Sequence, residues 1–291
     1  MKEITVFTPT YNRAYILKKL YDSLVSQTEK NFEWLIVDDG STDNTRELIE
    51  KWISEKKIDI RYFYQENQGK PIAFNNGVKN SNCKYFFCVD SDDYLTENAI
   101  QIISEEIKKI RNDKISGIIA LRGINYNQTI GTRMPRNVKY SSLKNLYEKY
   151  KFKGDTALVY KTEILRQYPF KLQNQEKFIG ECFVYDQIDE KYEMLLMDKI
   201  IYICKYLEDG YTKNTIKILK KNPYSYMVMK LQSSKVSKNI LYKIKHMAGY
   251  IAMGIYVKDK ELIKKSNNSI LAIISVPLGL LIYIIRFKDK E

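Results

Sequence analysis

Over the first 121 residues, short apolar runs alternate with segments whose apolar residues recur every three or four positions. The runs at 4–8, 34–37, 60–64, 85–89 and 115–121 have the length of strands. The segments between them, 14–27, 44–56, 71–80 and 97–111, have helical spacing. In 14–27, Leu17, Leu20, Tyr21, Leu24 and Val25 fall on one face. Ser41, Thr42 and Asp43 stand ready to cap the second helix and Thr96 the fourth. Strands that are apolar throughout, interleaved with helices, predict an α/β fold with a mostly parallel sheet covered on both faces. After residue 121 the pattern is less regular, with no internal repeat and no low-complexity linker.

Two further patterns lie near the C-terminus. Residues 238–257 place Ile240, Leu241, Ile244, Met247, Ala248, Ile251 and Ile255 at helical spacing, flanked by lysines and by Tyr242, Tyr250 and Tyr256. That pattern predicts an interfacial helix with its basic flank on lipid headgroups. Residues 270–285 form a run without charge. As a helix it would be about 24 Å long, short of the roughly 20 residues of a span. Pro277 and Gly279 predict a kink in it.

Charge sharpens this division. Of the formal net charge of +13, residues 1–210 carry only +1, and ten lysines lie between positions 211 and 258 with no Asp or Glu among them. The expected organisation is a near-neutral catalytic domain at 1–210 and a basic, helical, membrane-associating tail at 211–291. The expected partner of the tail is an anionic membrane surface. Nothing in it resembles a nucleic-acid recognition motif, so no nucleic-acid partner is expected. The N-terminus lacks a basic segment followed by a long apolar run, which predicts no signal peptide. The expectation is a cytoplasmic protein, peripheral on the inner face of the membrane, with reduced thiols. A homo-oligomer is compatible with this plan.

Candidate chemistry lies after the strands, because open α/β sheets bind ligands beyond the carboxyl ends of their strands. There the chain reads Pro9-Thr10-Tyr11-Asn12-Arg13, then Asp38-Asp39-Gly40-Ser41, then Gln65 to Lys70, then Asp90-Ser91-Asp92-Asp93. No G-x-G-x-x-G follows a strand and no P-loop motif is present, which argues against nicotinamide and P-loop chemistry. Three carboxylates in four residues repel one another, and a divalent cation with oxygen ligands relieves that repulsion. The single histidine, His246, argues against multi-His metal sites and a Ser-His-Asp triad. Cys83 and Cys88 read as buried thiols, and Trp34 and Trp52 as core.

In order, T-P-T-Y-N-R at 8–13, W-L-I-V-D-D-G-S-T-D-N-T at 34–45, N-Q-G-K-P-I-A-F-N-N-G at 67–77 and V-D-S-D-D at 89–93 resemble the motifs of glycosyltransferase family 2. The resemblance covers about residues 4–210. It implies a GT-A type, Rossmann-like fold and a nucleotide-diphospho-sugar donor, with a UDP-sugar the first expectation. The donor-binding residues it implies are Pro9, Thr10, Tyr11, Asn12, Arg13, Asp38, Asp39, Asn67, Gly69, Lys70, Asp90 and Ser91. Asp39 would hold the uracil edge and Asp92 would hold Mn²⁺ or Mg²⁺, with Asp209 as a further metal or diphosphate contact. Asp93 and Asp155 would lie on the acceptor side. In F-I-G-E-C-F-V-Y-D at 178–186, Glu181 matches the family's base, while Cys182 stands where a second acid is usual; Asp186 is the second choice. The reaction implied is inverting transfer to a hydroxyl of a lipid-linked or cell-surface polysaccharide acceptor. A nucleotidyltransferase, or an inactive nucleotide-sugar-binding membrane scaffold, are the alternatives; the first lacks a Gly-rich basic loop near strand one.

Overall fold

The computed structural model describes residues 2–204 and 214–288. It divides into two compact units, one of Met1–Pro169 with Lys191–Leu207 and one of Phe170–Glu190 with Glu208–Glu291. Residues 170–190 are therefore grouped with the C-terminal helices, and the boundary expected near 210 falls outside the described residues.

The first unit is a sheet with helices on both faces. Its elements are β1 (Ile4–Thr10), α1 (Ala14–Val25), β2 (Phe32–Asp38), α2 (Thr45–Glu55), β3 (Ile60–Tyr64), α3 (Lys70–Asn80), β4 (Tyr85–Cys88), β5 (Tyr94–Leu95), α4 (Ala99–Ile107), β6 (Ile115–Gly123), β7 (Tyr140–Ser141), α5 (Leu143–Glu148), β8 (Thr156–Lys161), α6 (Thr162–Leu165) and, after the excursion into the second unit, β9 (Glu193–Ile203). The strand order is β3-β2-β1-β4-β8-β6-β9-β5, with β7 paired to β9. β1, β2, β3 and β4 pair in parallel, as their apolar runs predict. β8, from the irregular stretch, enters antiparallel between β4 and β6. The sheet is thus mixed, and the start of β8 lies at the edge where β4 and β6 end.

Alternate residues of β1 face opposite sides. Ile4 and Val6 join one core with Leu17, Leu20, Leu24, Ile49, Trp52, Ile100 and Ile103 of α1, α2 and α4. Phe7 faces α3, with Phe74 and Phe86 at ring distances of 5.8 and 5.0 Å. A methyl at Gly77 would sit 2.3 Å from the Phe7 ring, so this residue sets how closely α3 approaches the sheet. Trp34 is fully buried and Trp52 nearly so, as expected, and the Tyr21 ring lies 4.3 Å from Trp52. Cys83 is buried, with its thiol pushed up by burial, but Cys88 is only partly buried.

The second unit is helical: α7 (Cys182–Asp189), α8 (Thr215–Lys221), α9 (Pro223–Val236), α10 (Ile240–Tyr256) and α11 (Ser269–Ile282). Two expectations change here. The middle of the α10 stripe is used inside the protein, where Met247, Ala248 and Ile251 are buried and Tyr250 donates to the Leu262 carbonyl at 2.9 Å, while Ile240 and Leu241 at its start are exposed. α11 runs on through Pro277 and a wide turn at Tyr283–Phe287. The uninterrupted segment Ser269–Phe287 is 19 residues, about 28 Å, so length no longer excludes a span.

Candidate active site

Four strand ends of the sheet unit bring the polar clusters to one edge. Thr10 and Asp38 are register partners at the ends of β1 and β2. Asp38 is buried and accepts from the Ser41 amide at 2.8 Å and from the Tyr62 hydroxyl at 2.8 Å. Asp39, one residue on, is a clasp for the loop after β3. It accepts from the Gln68 amide at 2.8 Å, the Gly69 amide at 2.8 Å and the Gln65 side chain at 2.7 Å. Asn67 donates to the Asp39 carbonyl at 2.9 Å. That closeness requires glycine at position 40, where φ is +87° and a methyl would lie 2.8 Å from the Asn67 amide.

The first cluster is built on Asn12, which has φ +52°. Its amide donates to Ser41 Oγ at 2.8 Å, and its side-chain oxygen accepts from the Thr42 amide at 2.7 Å. Asp43 accepts from the Thr45 amide at 3.1 Å from the position before the N-cap residue of α2, Asn44, which makes no side-chain capping bond. Pro9 and Thr10 are buried and Tyr11 is half-exposed. The Thr10 hydroxyl is buried with no hydrogen-bond partner.

The acidic cluster follows β4. Asp90 accepts from Lys70 at 2.6 Å. Burial pushes its carboxyl up, but Lys70, Arg122 and Arg13 outweigh this and hold it below the usual range. For Asp92, burial and then the charge of Asp90 push the carboxyl up. For Asp93 the same causes push it up to about 7 against the pull of Arg122. Burial and the neighbouring Asp90 thus disfavour the charged forms of Asp92 and Asp93, a penalty that a cation would relieve, and their hard oxygens suit Mg²⁺ or Mn²⁺. Among the described residues no three His, Cys, Asp or Glu side chains converge as a complete cage. Asp92, flanked by the carboxylates of Asp90 and Asp93, is the residue here that would hold such an ion. Ser91 is buried between them in sequence.

Three residues of this edge were not among the sequence candidates. Arg122 ends β6, and its Nε donates to the Thr156 carbonyl at 2.9 Å; a guanidinium nitrogen lies 3.9 Å from Asp93. Its guanidinium stacks over the Tyr202 ring at 4.1 Å. The Tyr202 hydroxyl accepts from the Asp90 amide at 2.9 Å, so β9 braces the acidic turn. Tyr62 holds Asp38. Arg122 is the charge directly after an apolar run, the same signal that marks Asp38 and Asp90. Tyr202 carried no such signal, because β9 is interrupted by Asp198 and Lys199. Asp155, exposed just before β8, lies at this edge because β8 runs antiparallel.

In the helical unit Glu181 is the N-cap residue of α7 and is partly exposed, and Cys182 follows it as an exposed thiol. α9 fastens the segment on both sides of Glu181. Before it, Glu176 accepts from the Tyr224 and Ser225 amides at 2.9 and 2.6 Å, and Asn222 accepts from the Lys177 and Phe178 amides at 2.8 and 3.0 Å. After it, the buried Asp186 accepts from the Ser233 hydroxyl. Asp209 lies outside the described residues.

The family model described as glycosyl transferase family 2 matches residues 5–169. Glycosyltransferase GlyA of Streptococcus pneumoniae serotype 4 is 31% identical over 216 residues, which is 70% of this chain and 30% of that protein. An uncharacterized glycosyltransferase of Rickettsia felis is 43% identical over 100 residues, 34% of this chain and 16% of that protein. The matches thus span less than a third of the length of either relative. Among solved structures, residues 1–349 of S. aureus TarS in complex with UDP superpose with a TM-score of 0.60 at 16% identity, covering 97% of this chain and 89% of that one. The mannosyltransferase PcManGT from Pyrobaculum calidifontis, in complex with GDP-Man and Mn²⁺, gives 0.54 at 15% identity, covering 96% and 87%. At these identities the likeness establishes the fold, and the GT-A expectation holds.

Proposed function

Since the chain belongs to glycosyltransferase family 2, we propose that it transfers a sugar from a nucleotide-diphospho-sugar to an acceptor hydroxyl. The observation that carries this is the convergence of Asp39, Asp90, Asp92 and Asp155 at the carboxyl edge of one sheet. A UDP-sugar is the favoured donor, in keeping with the UDP in the TarS complex. The nucleoside lies against Pro9 to Arg13 and Asp38–Asp39, and the diphosphate near Lys70 and Gly69. Asp92 would hold Mn²⁺ or Mg²⁺, a reading that the Mn²⁺ in the mannosyltransferase complex supports. Such an ion supplies charge neutralisation on the leaving diphosphate.

This chain's own part is orientation and proton transfer. Lys70 and Arg122 bracket Asp90 and Asp93 and brace the acidic turn from both sides. Glu181 takes the acceptor's hydroxyl proton; the freed oxygen pair forms a bond to the anomeric carbon as the bond to the diphosphate oxygen breaks, with inversion. Asp186 is buried whereas Glu181 is partly exposed, which favours Glu181 as the base. Asp93 and Asp155 face the acceptor. The acceptor is a lipid-linked or cell-surface glycan presented at the cytoplasmic leaflet, where the basic helical unit meets anionic lipid. The test is turnover of a panel of UDP- and GDP-sugars on lipid-linked acceptor, with Mn²⁺ and with EDTA. Turnover that survives EDTA and Asp92→Ala removes the metal assignment; donor binding without turnover on any acceptor favours the inactive scaffold.

A further inference from the structure

α11 and the turn that follows it present one long apolar face. Ile270, Ile273, Ile274, Leu281, Ile284 and Ile285 are each 51–74% exposed. Their spacing of three and four puts them on one side of the helix. A soluble monomer rarely exposes a contiguous apolar patch of more than a few hundred Å². The opposite side is made of small residues, Ala272, Ser275 and Gly279, and all three are buried. A methyl at Gly279 would meet Ile251 of α10 at 2.6 Å, so α11 lies directly against α10. Farther along, Phe287 is buried beside the rings of Tyr226 and Tyr256.

This packing separates a span from a flat insertion. A span needs lipid or other apolar helices around the whole helix. Here α10 covers one side, and α10 packs on α9. Together these two helices carry Lys230, Lys235, Lys243 and Lys245. Immersing α11 along its full length would draw those lysines into hydrocarbon, where charged side chains are costly. Lying flat asks nothing of them. Cations also stand at both ends of the stripe: Lys264 and Lys265, ion-paired with Glu261 and Asp259, precede it, and Arg286 and Lys288 follow it. Lys235 and Lys243 line a cavity of about 450 Å³ at its start, with Asn268 and Leu271. A second copy of the chain would bring the same positive rim against itself, whereas anionic headgroups complement it.

We propose that the outer face of α11 inserts flat into the headgroup–acyl boundary of one anionic leaflet, without crossing it. This rests on the membrane association put forward above and specifies its geometry. The chain lies about 5–10 Å deep along the whole stripe, with its lysine-rich helices over the headgroups.

The test uses the full chain with one added tryptophan, Ile270→Trp, Leu278→Trp or Ile285→Trp, on vesicles of about one-third phosphatidylglycerol in phosphatidylcholine. Lipids brominated at different depths report where each tryptophan sits; Trp34 and Trp52 are buried in the sheet unit and give a constant background. Flat insertion predicts the same shallow depth at all three positions. It also predicts at least a tenfold loss of vesicle binding for Ile273→Asn/Leu281→Asn, and a similar loss on pure phosphatidylcholine. Leu278 near the bilayer centre, about 15 Å down, with both ends shallow, overturns flat insertion in favour of a span. A full chain that binds no vesicles, and is a dimer split by Ile273→Asn/Leu281→Asn, makes the face a self-association surface and overturns the proposal. Calorimetry with UDP on the same protein separates the two readings: loss of donor binding sinks the transferase proposal and leaves the depth result standing.

Discussion

In the sheet unit, Trp34, Phe7 and Tyr202 are fully or almost fully buried, and the carboxylates at the strand ends are gripped by amides, Lys70 and Arg122. In the helical unit, large aliphatic residues of α11 stay outside, while its buried polar pair, Asp186 and Ser233, joins two helices. The proposed roles ask for this contrast. A donor site in water must hold its charges in place before the ligand arrives, because charges positioned in advance need no rearrangement during reaction. A helix proposed to lie in a lipid boundary must keep its apolar face uncovered. The contrast also reaches the chemistry, since the proposed base, Glu181, belongs to the helical unit and the donor clusters to the sheet unit.

The sharpest way to break this division of labour is Glu181→Gln. It should lower kcat by roughly 10²–10⁴-fold while the Kd for UDP, measured by calorimetry, stays within about twofold, because the donor groups lie in the other unit. A parallel loss of UDP affinity would place Glu181 in donor binding. Asp92→Ala should lower transfer by about 10²–10³-fold and abolish the part of UDP binding that depends on Mn²⁺. If Mn²⁺ stabilises this variant against heat as it does the wild type, the ion is held elsewhere.

Two smaller effects test the frames. Gly77→Ala forces a methyl against the Phe7 ring and should cost about 1–3 kcal/mol in urea unfolding of the full chain. Circular dichroism should place that loss in the transition of the sheet unit. Ser233→Ala removes one hydrogen bond to a buried carboxylate, a loss of about 1.5 kcal/mol. It should lower kcat with UDP affinity unchanged, since it loosens α7 and not the donor edge. Unchanged kcat in this variant would mean that α7 is held without Asp186.

Much of the polar edge of the sheet was legible in the sequence. The four clusters stand directly after apolar runs, and in a parallel sheet every such run ends at the same edge, so local pattern and global position agree. β8 was not legible, because whether a strand enters parallel or antiparallel depends on its neighbours, and Thr156–Lys161 carries no mark of either. Nor was Asp39 as a clasp: its bonds go to amides about thirty positions away. The tail was misread in one respect. The later part of the α10 stripe, Met247 to Ile251, is covered by protein, while Ile270 to Ile285 of the following helix keep a face exposed.

The sequence alone determined which residues are apolar, at what period, and which polar residues follow the strands. These are local properties, set by side-chain chemistry and backbone spacing. Only the tertiary structure decided which apolar face is spent in the interior, that Arg122 and Tyr202 brace the acidic turn, and that residues 170–190 pack with the C-terminal helices. Each of these depends on which surfaces meet, and close packing, as of Gly279 on Ile251, settles which face of a helix turns inward.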